Sequence, residues 1–108
     1  MKDDSTYLLD FRKNKTSQFG EDGIIEKILD ILPKEANPWC VEFGAWDGLF
    51  CSNTNSLITE EGFQAVLIEG DEKKIPDLEK TFEKFHDKVH LIHEWVDFDK
   101  NSIDKIFI

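Results

Sequence analysis

One octapeptide constrains this chain more than anything else in it: Val41-Glu42-Phe43-Gly44-Ala45-Trp46-Asp47-Gly48. An apolar run that ends in an acid and meets Gly-x-x-x-Gly describes a buried strand turning sharply beneath a bound ligand. Gly44 and Gly48 tolerate φ > 0 at the turn and let the backbone approach a ligand where a Cβ would collide. About twenty residues beyond the second glycine comes a second apolar run with an acid at its end, Val66-Leu67-Ile68-Glu69-Gly70. Strand, glycine turn, helix, strand, acid is the order of a parallel βαβ nucleotide site, in which the second acid reaches ribose hydroxyls.

The spacing of the glycines decides which nucleotide suits the turn. A dinucleotide fold needs Gly-x-Gly-x-x-Gly, whose middle glycine lets a pyrophosphate sit on a helix N-terminus. Here that place holds Trp46, and Glu42 and Asp47 add negative charge beside it. A cationic or neutral ligand fits better. S-adenosylmethionine is such a ligand, with a positive sulfonium and ammonium, a ribose for Glu69, and no phosphate. The plainer reading of Gly44 and Gly48 is a tight strand-to-loop turn. The second strand and its acid favour the ligand.

Periodicity supplies the remaining elements. Ile24, Ile25, Ile28, Leu29 and Leu32 recur at helical spacing and predict a helix from Glu21 to about Leu32, stopped by Pro33. Trp39 to Phe43 is the first predicted strand, almost wholly apolar, as suits a strand buried on both faces. A helix over residues 53–61 ends at Gly62, and Phe63 to Glu69 forms the second strand. Ile75, Leu78, Phe82 and Phe85 line a third helix. The third strand runs from Val89 to about Val96. A short last helix starts at Ser102, with Ile103, Ile106 and Phe107 inward. Residues 1–16 read as a polar arm and residues 17–108 as the folded unit. This βαβαβ order predicts a parallel sheet with right-handed crossovers, strand order 3-2-1, and helices on both faces.

Four segments in order, Ser17-Gln18-Phe19-Gly20-Glu21-Asp22, Val41 to Gly48, Ser52-Asn53-Thr54 and Val66 to Gly70, resemble the FkbM-type S-adenosylmethionine-dependent methyltransferases. The resemblance covers about residues 16–99. It implies a Rossmann-like class I methyltransferase fold, with Glu42, Gly44 and Gly48 beside the methionine moiety and Glu69 on the ribose. Ala45, Asp47 and Gly70 belong to the same motifs, and contacts from Asn53 and Thr54 are likewise implied by the resemblance. Trp95 and Val96 lie where this fold places the adenine, although they also suit an ordinary strand end. The implied activity is O-methylation of a hydroxyl on a sugar, lipid or secondary metabolite. Family members continue through four further strands, so residues 17–108 correspond to a cofactor-binding half, truncated before the acceptor-binding half. Such a fragment is expected to be inactive alone, with no general base to assign. Its first strand, uncovered by a fourth, is expected to self-associate through the exposed edge.

Composition limits the alternatives. The 108 residues carry 13 Lys and Arg against 23 Asp and Glu, a formal net charge of −10, which opposes nucleic-acid backbones and anionic membranes. The acidity itself needs no more explanation than solubility. The sequence has no apolar run near the ~20 residues of a membrane span, and the N-terminus lacks a signal peptide's apolar core. Cys40 and Cys51 read as reduced thiols of a cytoplasmic protein, a disulfide between them being the minor alternative. His90 and His93 would face opposite sides of a strand, so together with His86 they predict no metal site. Trp46 either stacks on a ligand or packs on its own domain, and Asp47 either caps the following helix or holds an amino group. Two other classes remain: a non-catalytic Rossmann-like interaction module, and an NAD-dependent oxidoreductase, against which Trp46 counts.

Overall fold

The computed structural model describes residues 4–97, 99–100 and 102–106. Three strands, β1 (Trp39–Phe43), β2 (Gln64–Glu69) and β3 (Val89–His93), form one parallel sheet with β2 in the middle. Read from the opposite edge, this is the 3-2-1 order. The chain is therefore an α/β fold, with α1 (Glu21–Ile31), α2 (Asn55–Thr59), α3 (Ile75–Thr81) and α4 (Ile103–Ile106) around the sheet. Phe107, expected to face inward on the last helix, lies outside the described residues.

Each helix end has a local cause. Leu32 swings to ψ 153°, the extended backbone that a residue before proline adopts, so Pro33 stops α1 at Ile31, two residues upstream of its own position. α2 is shorter than its apolar pattern predicts. Its N-cap, Thr54, makes no capping bond, because its hydroxyl donates to Glu42 Oε1 at 2.5 Å instead. Ser52 takes over the helix start, its Oγ accepting the Asn55 N–H at 3.0 Å. α3 breaks after Thr81 into a 3₁₀ turn, Glu83–Phe85, so one expected helix becomes two short pieces.

The two faces of the sheet are covered unequally. Strand alternation sends Ala65 and Leu67 to one side, where they pack with Ile58 of α2, Leu78 and Phe82 beside α3, and Ala45 of the β1–α2 loop. The opposite side carries Trp39, Val41 and Phe43, exposed by 49%, 49% and 60%, next to Val66, Ile68, His90 and Ile92 by register. α4 reaches this side near β3, where Ile92 and Ile106 line one shallow cavity. The expectation that β1 is buried on both faces is thus overturned. Among the described residues β1 pairs only with β2, so it is an edge strand with one wet face, and its apolar residues stay half open to solvent. The face predicted for α1 is also incompletely covered, with Ile28 at 37% and Leu32 at 52% exposure.

The N-terminal arm has structure of its own. Asp4–Phe11 forms a 3₁₀ helix that lies against α1, with the Tyr7 and Phe11 rings edge to face and Lys27 Nζ 4.7 Å from the Phe11 ring centroid. Residues 12–20 then strap back across the start of α1. Lys13 exchanges backbone hydrogen bonds with Gly20 and Gly23.

Candidate functional site

The carboxyl ends of parallel strands are where open α/β sheets bind ligands, and here that edge gathers Phe43, Glu69 and His93 with the loops that follow them. Gly44 takes φ +68°, and an added Cβ would meet no atom within 4 Å. Space lies in front of it. Gly48, at φ +77°, differs: a Cβ there would collide with Leu78 and Phe82. It serves the packing of the loop onto α3. The loop is further held by the Ala45 N–H to Ile68 O at 3.2 Å, the Thr81 hydroxyl to Asp47 O at 2.6 Å, and the Asn55 side-chain amide to Gly48 O at 2.9 Å.

The acids of the motifs are spent largely on backbone. Glu69 is 3% exposed. Its Oε1 accepts the Trp46 N–H at 2.6 Å and its Oε2 accepts the Asp71 N–H at 2.8 Å. One buried carboxylate therefore ties the loop after β1 to the loop after β2. Each oxygen keeps a lone pair beyond those bonds, but the carboxylate is turned into the protein. Glu42 plays a parallel part. Its Oε1 accepts the Thr54 and Ser52 hydroxyls, at 2.5 and 3.3 Å, and its Oε2 accepts the Asn53 N–H at 3.2 Å. Asp47 accepts the amides of Leu49 and Phe50, both at 2.9 Å, so it caps its own turn rather than α2. Burial pushes the Asp47 carboxyl up, but those two amides and the charge of Lys74 outweigh it, and the net shift is downward.

Two tryptophans lie on the loops that leave β1 and β3. Trp46, at φ +56° and 41% exposed, lies with Lys74 Nζ 4.4 Å from its ring centroid. It packs on its own domain through this cation–π contact, the plainer of its two readings. Trp95, 67% exposed, rests against Gly70, whose missing Cβ makes its seat. β3 ends at His93 rather than near Val96, so Glu94, Trp95 and Val96 belong to the outgoing loop. The Glu94 N–H still bonds Glu69 O at 3.1 Å and keeps that loop at the rim. The rim thus brings together Gly44, Ala45, Trp46, Glu69, Gly70 and Trp95. Glu42, Asn53 and Thr54 form an adjacent cluster around the start of α2.

Within that cluster Asn53 Oδ1 is a buried acceptor with no hydrogen-bond partner among the described residues. Cys40 and Cys51 are free thiols. Burial, with a smaller contribution from Glu42, pushes the Cys40 thiol up to about 11, so it is protonated and unreactive at neutral pH. His90 stacks on Trp39, at 5.5 Å between ring centroids, on one face of the sheet, while His93 meets Gly70 O on the other. Among the described residues no helix is long and apolar enough to cross a membrane.

Three residues at the site escaped the sequence reading. Ser52 enters the sequence reading only as part of a resembling segment, yet it is 2% exposed and bonded to Thr16, Glu42, Thr54 and Asn55. Thr16 was assigned to a loose arm, and Lys74 to no role. Thr16 meets Ser52 across 36 positions of sequence, and Lys74 meets Trp46 from a different loop, so no local pattern signals either contact.

No protein-family model matches the chain, and no curated protein matches it. The resemblance therefore rests on the four motifs alone.

Proposed function

We propose that the chain is the S-adenosylmethionine-binding part of a class I methyltransferase. The observation that carries this reading is Gly44: a left-handed residue at the carboxyl end of β1, facing open space, between two acid-held loops. Asn53 Oδ1 supports it, since a buried acceptor without a donor suits the ammonium of an amino-acid ligand. The acidic motifs and Trp46 favour a cation over the pyrophosphate of NAD. Glu42, Gly44, Ala45, Asn53 and Thr54 would surround the methionine end. Glu69, Gly70, Trp95 and Val96 would surround the nucleoside, with Glu69 acting chiefly through the loops it ties.

Bound S-adenosylmethionine would supply a sulfonium methyl, to which an acceptor hydroxyl oxygen would bond as the carbon–sulfur bond breaks, with S-adenosylhomocysteine leaving and the hydroxyl proton passing to water. The chain's own part is alignment and exclusion of water. The acceptor is a small hydroxyl compound, and no residue of this chain is assigned as its base. Calorimetry with S-adenosylhomocysteine and with NAD tests the reading. Preferential binding of S-adenosylhomocysteine is expected, and tighter binding of NAD overturns the assignment.

A second reading, a binding module without catalysis, draws support from Glu69, both of whose oxygens are already engaged. Binding of neither nucleotide would favour it.

A further inference from the structure

We propose that Thr16 and Asp22 are positioning residues that lock the Ser52–Thr54 loop against Glu42, an inference that rests on reading that loop as part of a ligand site. Asp22, 4% exposed at the start of α1, is the hub. Its Oδ2 accepts the N–H groups of Lys15, Thr16 and Ser17 at 2.7, 2.8 and 2.8 Å, and the Ser17 hydroxyl at 2.8 Å. Three successive amides converging on one oxygen fix the backbone of the strap. Asp22 Oδ1 reaches forward and accepts the Ser56 hydroxyl of α2 at 3.3 Å.

The strap so fixed carries Thr16, whose hydroxyl donates to Ser52 O at 2.8 Å. Ser52 then donates through its own hydroxyl to Glu42 Oε1, while its Oγ receives the Thr54 and Asn55 amides at 3.3 and 3.0 Å. An unbroken polar path runs from the N-terminal strap, through Asp22 and Thr16, to the carboxylate at the end of β1. Lys15 reinforces it at the surface, with its Nζ 3.2 Å from Glu60 just beyond α2. None of these strap residues reaches the open space before Gly44 through any bond the structure shows. They act on the loop that borders it. The loop needs outside support because its own bonds are short-range, and α2, at five residues, is too short to hold its first turn alone.

The test separates this role from general stability. Thr16→Val keeps the shape and removes the donor, and Thr16→Ser restores it. Amide hydrogen exchange is followed at Asn53, Thr54 and Asn55, with Leu67 of β2 as the internal reference, alongside the affinity for S-adenosylhomocysteine. Thr16→Val should accelerate exchange at the three loop amides about tenfold, the equivalent of one hydrogen bond, and leave Leu67 unchanged. It should weaken ligand binding by a similar factor. Thr16→Ser should reverse both effects, and Ser56→Ala, which cuts the second link, should accelerate the same amides. Loop exchange unchanged by Thr16→Val overturns the inference, whatever the affinity does. A wild-type chain that shows the exchange pattern but binds no S-adenosylhomocysteine overturns the cofactor reading and supports the loop coupling.

Discussion

Replacing Glu69 should cost stability before it costs anything else. The carboxylate is buried and bonds two backbone amides from different loops, Trp46 N–H at 2.6 Å and Asp71 N–H at 2.8 Å. A hydrogen bond to a charged group contributes about 1.5–3 kcal/mol. Glu69→Gln keeps an oxygen for one amide but turns an NH₂ toward the other, which loses one such bond, so about 1.5–3 kcal/mol should disappear. Glu69→Ala loses both and leaves space where the side chain lay. Both amides sit in surface loops that water can partly reach, so the cost should be about 2–4 kcal/mol rather than the full sum. For a domain of this size, 2 kcal/mol corresponds to a fall in Tm of about 8–16 °C. Thermal and urea denaturation followed by circular dichroism would measure both variants. If Glu69→Gln and Glu69→Ala melt within a degree or two of the wild type, the carboxylate is not the tie between the loops. Weakened nucleotide binding would then have to come from direct contact.

Three further outcomes follow from the same geometry. Gly48→Ala should destabilise by about 2–5 kcal/mol, through its positive φ together with collision against Leu78 and Phe82, whereas Gly44→Ala should cost about 1–2 kcal/mol for its positive φ alone while impairing ligand binding; a loss at Gly44 as large as that at Gly48 would refute the distinction. Burial pushes the Asp22 carboxyl up, but the Ser17, Thr16 and Lys15 amides outweigh it and hold it below 3.8 in the folded chain. A depressed folded pKa contributes stability above the unfolded value that is lost as pH falls through the folded one, so urea midpoints should drop below about pH 4, less steeply in Asp22→Asn; parallel acid profiles would refute it. Finally, antiparallel pairing of β1 with a second copy about Val41 sets Trp39 against the partner's Phe43. Sedimentation should show association that Val41→Lys abolishes, and a wild-type monomer at every concentration would refute it.

The first two strands are legible because their signal is local and redundant, whereas nothing in the sequence marks the end of β3 at His93. β1 was placed to the residue and β2 to within one, since each is an apolar run closed by an acid and a glycine. The helices were less so. Ile24, Ile28 and Leu32 announced α1, and Pro33 its end, but the helical spacing of Leu78, Phe82 and Phe85 could not reveal that the turn tightens after Thr81. Thr54 is instructive: threonine is a residue type that caps helices, yet Glu42, twelve positions earlier, competes for its hydroxyl and wins with a 2.5 Å bond.

The same competition explains why the site was half legible. Sequence reading assigns an acid at a strand end to the ligand, because the ligand is the only partner the pattern supplies. In the folded chain the orphan amides of irregular loops are nearer partners. Glu42, Asp47, Glu69 and Asp22 all satisfy such amides, at Asn53, at Leu49 and Phe50, at Trp46 and Asp71, and at Lys15 to Ser17. Glu69 and Asp47 thus shape the loops of the rim, and Glu42 and Asp22 those that border it. What they leave open is the space before Gly44 and the acceptor on Asn53. A ligand that recognises this rim meets a shaped backbone more than a row of charges, so removing an acid should change loop order and affinity together. Changing Gly44 should alter affinity with the loops still in place.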